Sequence, residues 1–325
     1  MNAENTKELR VIALLDGRPG HEKQTMGIIQ ALQKKVPVQV IPIKVKGFSF
    51  IDSLVQTVLL FLPYLRKGIP SFPTNERGDL VIGTGSRTHL PLLLYKKKYA
   101  IPAITCMAPA RHIEHMFDLC CVPEHDGKKE KKNIMLTSGS PNCSQNKGKH
   151  RKDHGLILLG GIDVKSHLWN SEHVVTMVEK IIKSESKVLW TVSSSPRTPS
   201  DTVTMLKQLQ EQYGNMRFFD YRDTPAGWVE HQYDKNNLVW VTADSISMIY
   251  EAITAGCQVG IMPMQWLREN SKFKRNENIL LSKGLVTAFT SWERGSLNQD
   301  TNVELNEAQR CAERIIQTWW PENLQ

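Results

Sequence analysis

The sequence predicts an α/β protein made of two doubly wound, Rossmann-like domains that face a central cleft. Three observations support this fold class. Short apolar runs alternate with amphipathic stretches, a pattern that indicates parallel strands joined by helical crossovers. The alternation stops in a polar stretch at 137–155 and then starts again. The length of 325 residues suits two domains of ordinary size.

The first half of the chain contains the elements of one such domain. Strands are predicted at 11–15, 38–43, 80–82, 103–106 and 119–122, and helices at 25–35 and 88–98. The stretch 137–155 is polar and basic and has no apolar periodicity, which is typical of a linker. We therefore predict an N-terminal domain over residues 1–145.

The second half repeats the arrangement. Strands are predicted at 156–159, 188–192, 218–219, 238–241 and 258–262, and helices at 171–183, 200–213, 245–255 and 304–319. We predict a C-terminal domain over residues 146–325. Its last helix, at about 304–320, is a candidate for docking back on the N-terminal domain.

Composition narrows the class of protein. The net charge of +8 favours an anionic partner, but the lysine runs lack the interleaved aromatic residues of a single-strand nucleic-acid groove, so no nucleic acid is expected. The six cysteines form no C-x-x-C pair, which favours buried free thiols over zinc ligands or disulfides. The chain has no run of about 18 apolar residues and its N-terminus lacks the order of a signal peptide. We expect a cytoplasmic protein.

Four loops rich in glycine, serine or threonine follow predicted strands, at 16–21, 83–88, 160–167 and 193–198. In open α/β sheets, ligands bind beyond the carboxyl ends of the strands. Glycine lets backbone N–H groups approach an anion, and the N-terminus of the next helix adds a partial positive charge. Together the four loops predict an anion-binding site.

The first of these loops carries a candidate catalytic residue. It reads Gly17-x-x-Gly20-His21, which is neither a P-loop nor a dinucleotide fingerprint. His21 would project from the first helical turn, where it could act as a general base. The alternative is a histidine that is hydrogen-bonded within the turn.

The stretch 241–264 carries the second candidate. Asp244, Ser245 and Ser247 open a predicted helix, and Glu251 follows in its second turn. Hydroxyl groups at a helix start suit a diphosphate, and a glutamate could accept two hydrogen bonds from a ribose diol. The alternative makes Asp244 or Ser245 an N-cap and Glu251 a solvated residue.

These motifs resemble the two-domain GT-B glycosyltransferases. A broad likeness is to the enzyme that adds N-acetylglucosamine to the lipid-linked peptidoglycan precursor, in which a histidine follows the first glycine-rich loop and a glutamate like Glu251 binds the ribose. A closer likeness is to a bacterial family that is similar to a mitochondrial fission protein and is assigned as glycosyltransferases by fold. It is carried by DGRPGH at 16–21, FD at 117–118, PEHD at 123–126, RTP at 197–199 and TADSxSMxxE at 242–251.

The resemblance implies a metal-independent transferase that moves a sugar from a nucleotide sugar to a cell-envelope acceptor, such as a glycolipid or a lipopolysaccharide core. His21 is the implied base. The residues implied in acceptor binding are Asp16, Gly17, Arg18, Gly20, Gly85, Ser86, Arg87, Glu124 and His125. Those implied in nucleotide-sugar binding are Gly160, Gly161, Ser194, Ser195, Arg197, Asp244, Ser245, Ser247, Met248 and Glu251. The nucleotide sugar is a co-substrate, and no cofactor is expected.

Several alternatives stay open. The same fold serves nucleotide-sugar 2-epimerases, and the plant namesake of the family is a fission factor, which leaves a non-catalytic adaptor. A single arginine, Arg197, precedes Thr198-Pro199 where the family pattern has two, so phosphate contacts from this loop are in question. A metal site at His112, His115, His125 and Asp126 is the weaker interpretation of those residues.

The segment 48–70 is unusually apolar and ends its helical pattern at Arg66-Lys67. It predicts either a buried helix or a helix that lies on the inner face of a membrane. The second possibility would suit a lipid-linked acceptor and a peripheral membrane contact.

Overall fold

The computed structural model describes residues 8–45, 60, 76–295 and 304–324. The chain divides into two compact units. One is formed by Met1–Cys143 together with Asn306–Gln325, and the other by Ser144–Leu305. A six-stranded sheet lies at the centre of each unit.

The sheet of the first unit is entirely parallel, in the order β2-β1-β3-β4-β5-β6. Its strands are β1 (Leu9–Leu15), β2 (Val38–Lys44), β3 (Leu80–Thr84), β4 (Ala103–Cys106), β5 (Leu119–Pro123) and β6 (Ile134–Thr137). Helices α1 (Pro19–Gln33) and α2 (Ser86–Tyr99) follow β1 and β3. Every residue of β3, β4 and β5 is buried, as expected for central parallel strands that are covered on both faces.

The structure corrects two boundaries predicted for this half and adds one strand. Helix α1 begins at Pro19, six residues before the predicted start, because proline at the first helical position needs no N–H partner. Strand β6 was not predicted. The proposed linker at 137–155 is shorter, since residues 151–155 belong to the first strand of the second unit. Within it, Asn142 packs so closely on Gly27 of α1 that a side chain at Gly27 would collide with its carbonyl group.

The sheet of the second unit is also parallel, in the order β10-β9-β7-β11-β12-β14. Its strands are β7 (Arg151–Leu158), β9 (Leu189–Ser193), β10 (Met216–Phe219), β11 (Asn236–Thr242), β12 (Gln258–Met262) and β14 (Thr287–Ala288). The short strands β8 (His167–Leu168) and β13 (Gln265–Trp266) form an antiparallel ribbon. The helices are α3 (Ser171–Ser184), α4 (Ser200–Gln212), α5 (Trp228–Lys235), α6 (Ile246–Thr254), α7 (Lys272–Ser282) and α8 (Phe289–Glu293). The ribbon, α5, α7 and α8 were not predicted.

The C-terminal helix α9 (Glu307–Trp319) belongs to the first unit. It buries one apolar face in the same cluster as residues of β1 and α1, through Ala308, Cys311, Ala312, Ile315 and Ile316. On its rim, Glu313 lies 3.0 Å from the Lys35 ammonium.

All six cysteines are free thiols, and all except Cys143 are buried. The segment 48–70 lies outside the described residues except for Leu60, which is buried. Its proposed membrane contact therefore stays a prediction. Within the described ranges, no helix is both long and apolar enough to cross a bilayer.

Candidate functional site

The turn between β1 and α1 pairs a histidine with a buried carboxylate. His21 Nδ1 lies 2.9 Å from Asp16 Oδ2, and the Asp16 side chain is fully buried. The other Asp16 oxygen accepts the backbone N–H of Arg18 at 3.1 Å. A carboxylate only accepts hydrogen bonds, so in the neutral form of the ring Nδ1 carries the proton and Nε2 has the lone pair. The pair is oriented for His21 to take a proton from a third group.

The backbone conformation and the packing of the chain itself explain two of the glycines around this turn. Gly17 has φ +79° and Gly85 has φ +86°, which other residues adopt only with strain. A side chain at Gly85 would also collide with the His21 ring, so this glycine makes room for the imidazole. At Gly20, a Cβ would meet no described atom within 4 Å, so packing does not require glycine there. Close approach of a ligand is the reason predicted for the loop glycines. For Gly17 the backbone conformation is a sufficient reason, and for Gly85 the backbone conformation and the His21 ring are.

Sequence reasoning missed His89, a buried histidine in the first turns of α2. It is 6% exposed in α2, and its ring meets Phe117 edge-on at 5.6 Å between centroids. Burial, and then the charge of His21, lower the pKa of His89 to about 4. It is therefore a neutral imidazole at pH 7. The signal in the sequence was its place in the first turns of the helix that follows β3.

The other predicted acceptor residues are at several strand ends of the same sheet. Arg18, Ser86 and Arg87 are exposed at the N-termini of α1 and α2, after β1 and β3. Glu124 and His125 follow β5, in a short 3-10 helix. Glu124 is half-buried, whereas His125 is buried.

In the second unit, Gly160 and Gly161 hold neighbouring loops together. The N–H of Gly160 donates to Thr242 Oγ1 at 2.7 Å, and that of Gly161 donates to Asp244 Oδ2 at 3.2 Å. A side chain at Gly160 would collide with the Asp244 carboxylate, and one at Gly161 with the backbone of Arg197. The prediction that these amides face an anion is wrong for this structure, because both already donate within the chain.

The serines after β9 have a similar internal role. Ser195 Oγ donates to the carbonyl of Gly160 at 2.6 Å, and Ser194 Oγ accepts the N–H of Tyr221 at 2.9 Å. Both serines are buried. Thr198, a residue that we did not predict, accepts the N–H of Ser195 at 2.8 Å. These hydroxyl groups shape the loop, and the predicted contact of Ser194 and Ser195 with a nucleotide sugar stays a prediction.

Arg197 is the cation that this loop arrangement positions. Its Nη2 lies 2.8 Å from Asp244 Oδ2, and its Nη1 donates to the carbonyl of Gly161 at 3.3 Å. The Asp244 side chain is fully buried while that of Arg197 is 42% exposed. Asp244, predicted as a ligand contact, anchors Arg197, and the Arg197 side chain stays partly exposed.

The N-terminus of α6 lies beside this arginine. Ser245 is the N-cap residue, yet among the described residues it caps no helical N–H through its side chain. Its Oγ is 3.4 Å from Arg197 Nη2. Ser247 is exposed and Met248 half-buried in the first turn. Free first-turn amides and the helix dipole favour an anion at this position.

Glu251 is 6% exposed on the inner side of α6, so the alternative of a solvated residue is wrong. Burial, followed by the charge of Glu251, raises the pKa of the Tyr233 hydroxyl well above its usual value. That hydroxyl lies 3.2 Å from the Met248 carbonyl. Glu251 is thus a buried carboxylate one helical turn after Ser247 in the sequence.

In the part of the chain that the structure describes, His, Cys, Asp and Glu side chains nowhere group in threes that could hold a metal ion. The weaker interpretation of His112, His115, His125 and Asp126 as a metal site is not supported.

The chain matches the family described as mitochondrial fission ELM1 over residues 19–319. It belongs to this family. The resemblance seen in the sequence is therefore confirmed. No curated protein matches the chain.

Solved structures with a similar fold include two UDP-GlcNAc 2-epimerases and a glycotransferase. The UDP-GlcNAc 2-epimerase from Methanocaldococcus jannaschii has a TM-score of 0.58 and 16% identity, over 95% of this chain and 99% of that one. The UDP-GlcNAc 2-epimerase from Neisseria meningitidis, bound to UDP-GlcNAc, has a TM-score of 0.56 and 12% identity, over 95% and 99%. A glycotransferase of kitacinnamycin has a TM-score of 0.55 and 10% identity, over 96% and 100%. These likenesses confirm the GT-B fold predicted for this family member.

Proposed function

We propose that this protein is a glycosyltransferase that moves a sugar from a nucleotide-sugar donor to a cell-envelope acceptor, such as a glycolipid or a lipopolysaccharide core. The observation that carries the proposal is the Asp16–His21 pair, 2.9 Å apart at the carboxyl end of β1. A base held by a buried carboxylate is what the attack of an acceptor hydroxyl requires. Membership of the family and the GT-B fold support the same reaction class.

The second unit supplies the proposed donor site. The partly exposed Arg197 side chain, the first-turn amides of α6 and the Ser247 hydroxyl would bind the diphosphate. Glu251 would bind the ribose from the next turn of the same helix. Two neighbours are described as acting on UDP-GlcNAc, which makes uridine nucleotides the first probes.

The proposed reaction assigns one role to the residues of each unit. His21 Nε2 takes the proton of the acceptor hydroxyl as its oxygen bonds to the anomeric carbon. The bond from that carbon to the nucleoside diphosphate breaks, and Arg197 and the α6 amides stabilise the departing negative charge. No cofactor takes part in this scheme.

The donor site is tested by calorimetry on the full chain with UDP and with GDP. Arg197→Gln should weaken the binding of the preferred nucleotide about 10- to 150-fold, the range for a hydrogen bond to a charged group. Arg217→Gln is the matched control, because Arg217 is an exposed arginine of β10 whose loss lowers the net charge equally. Equal affinity in the two variants would remove Arg197 from the site.

The reaction is tested by incubating the protein with UDP-GlcNAc, alone and with cell-envelope glycolipid, and by following the sugar by NMR. A transferase consumes the donor only when acceptor is present. The two neighbours described as 2-epimerases favour a second outcome: inversion at C2 without acceptor, which would replace the transferase by an epimerase. Absence of any nucleotide or nucleotide-sugar binding would favour the adaptor.

A further inference from the structure

An exposed apolar cluster surrounds the β8–β13 ribbon. Six large hydrophobic side chains are exposed among the described residues, and four of them lie on this ribbon or its flanks. They are Ile162 (48% exposed), Val164 (76%), Leu168 (51%) and Leu267 (46%). Single exposed hydrophobic residues are ordinary, but a group of them on one small element marks an interaction surface.

Strand pairing places two of the four on one face. Gln265 pairs with Leu168 and Trp266 with His167, and the N–H of Leu267 donates to the Ser166 carbonyl at 2.9 Å. Side chains alternate between the two faces of a ribbon. Leu168 and Leu267 therefore share the outer face, while His167 and Trp266 share the inner one.

The inner face is firmly held. His167 is 2% exposed and its Nε2 lies 3.0 Å from the Gly161 carbonyl. Trp266 stacks on Phe273 of α7 at 5.7 Å, and its Nε1 donates to Glu277 at 2.6 Å. The ribbon is thus a fixed support, and the exposure of its outer leucines does not come from a loose segment.

Basic residues surround the apolar cluster. Lys165 follows Val164, Arg268 follows Leu267, and Lys272 begins α7 with its ammonium 5.2 Å from the centre of the Phe273 ring. The residues 162–168 and 265–277 hold five basic side chains (Lys165, Arg268, Lys272, Lys274 and Arg275) and three acidic ones (Asp163, Glu269 and Glu277). Of these, Lys274 and Glu277 pair with each other at 3.3 Å. The whole chain carries a net charge of +8. The surface therefore combines aliphatic tips with a positive border.

We propose that this ribbon is a docking surface for anionic phospholipid bilayers. Exposed aliphatic side chains enter the boundary between headgroups and acyl chains, and Lys and Arg beside them meet the lipid phosphates. The ribbon adjoins the Gly161 turn of the proposed donor site through His167, so docking would bring that site to a membrane.

The test is flotation of the full chain with vesicles of phosphatidylcholine alone, or mixed equally with phosphatidylglycerol, at low and high salt. The chain should bind the anionic vesicles only and should be released by salt. Val164→Ser/Leu168→Ser should lower the partition coefficient about tenfold or more, since it removes only apolar groups. Arg268→Gln/Lys272→Gln should lower it about fivefold for each charge removed.

The matched control is Leu189→Ser, which removes an equally exposed leucine (51%) from β9, away from the ribbon. Wild-type chain that stays with the unbound fraction at low salt would overturn the proposal, and so would variants of the ribbon that bind like the control. Concentration-dependent dimers that Val164→Ser/Leu168→Ser abolishes, without vesicle binding, would assign the surface to a second copy of the chain and overturn it as well. Nucleotide affinity of the same variants should stay at the wild-type value, so failure here is distinguishable from failure of the proposed function.

Discussion

Single residues in the turn after β1 decide which nitrogen of His21 is available for chemistry. Asp16 accepts from Nδ1, and Gly85 leaves the space that the ring occupies. The tautomer is therefore set by a residue that need not touch substrate. Asp16 is a positioning residue in this account, and His21 is the proposed base.

Two substitutions separate these roles. His21→Ala should lower turnover about 10²- to 10⁴-fold and leave nucleotide affinity nearly unchanged, because a base acts in the transition state. Asp16→Asn should favour the tautomer with Nε2 protonated, because an amide can donate to Nδ1. Nitrogen NMR of the imidazole reports this change without any substrate. Unaltered turnover in His21→Ala would make His21 structural.

His89 should make stability depend on pH. Its pKa is about 4 in the folded protein and 6.5 in the unfolded chain, so the unfolded chain takes up the proton first as the pH falls. The stabilisation is complete above pH 6.5 and is lost between pH 6.5 and 4, by about 3 kcal/mol. In urea unfolding, the free energy of unfolding of His89→Gln should fall less between pH 6.5 and 4 than that of wild type. The control is His173→Gln, at an exposed histidine, which should behave like wild type. If the unfolding free energy of His89→Gln falls with pH as steeply as that of wild type, the assignment is contradicted.

At the scale of elements, the second sheet is packed around two glycine–tryptophan pairs. Gly155 of β7 is opposite Trp190 of β9, and Gly260 of β12 is opposite Trp240 of β11. In each pair the indole lies so close to the glycine that a Cβ would collide with its ring. Because glycine has no side chain, the indole of the buried tryptophan can occupy the space beside it.

Gly155→Ala should therefore destabilise the second unit. Overpacking of this kind costs about 1–3 kcal/mol, which appears as a lower urea midpoint at an unchanged slope. Gly214→Ala is the control, because a Cβ at that position meets no described atom within 4 Å, and it should change stability by less than about 0.5 kcal/mol. Equal effects of the two variants would show that backbone entropy, and not the indole, limits the site.

At the scale of the whole molecule, the last helix completes the core of the unit in which the chain begins. Ile315 and Ile316 are fully buried with residues of β1 and α1. Because α9 follows the second unit in the chain, the core of the first unit is complete only after the second unit has been synthesised.

Ile315→Ala should lower the stability of the first unit by about 2–5 kcal/mol, through lost burial and a cavity. Hydrogen exchange should accelerate in β1 and α1, while β7 and β11 keep their protection. Gln317→Ala, on the exposed side of the same helix, should leave both patterns unchanged. Faster exchange in β7 and β11 as well would mean that the two units unfold together.

The sequence by itself determined the features that depend on local pattern. Apolar runs and turn residues identified most strands and helices, the family motifs identified the fold, and His21, Arg197 and the 242–251 stretch were found as candidates. Periodicity and turn chemistry act over a few residues, so they can be read along the chain. The helices α5, α7 and α8 and the strands β6, β8, β13 and β14 were missed because they are short or weakly apolar.

Only the tertiary structure decided how distant residues are used. It showed that the amides of Gly160 and Gly161 donate to Thr242 and Asp244, and that Asp244 holds Arg197. It also paired Leu168 with Gln265, almost a hundred residues away, and so assembled the exposed ribbon. Hydrogen bonds and burial between segments so far apart in the chain depend on how the strands are ordered in the sheet, and no local pattern contains that order.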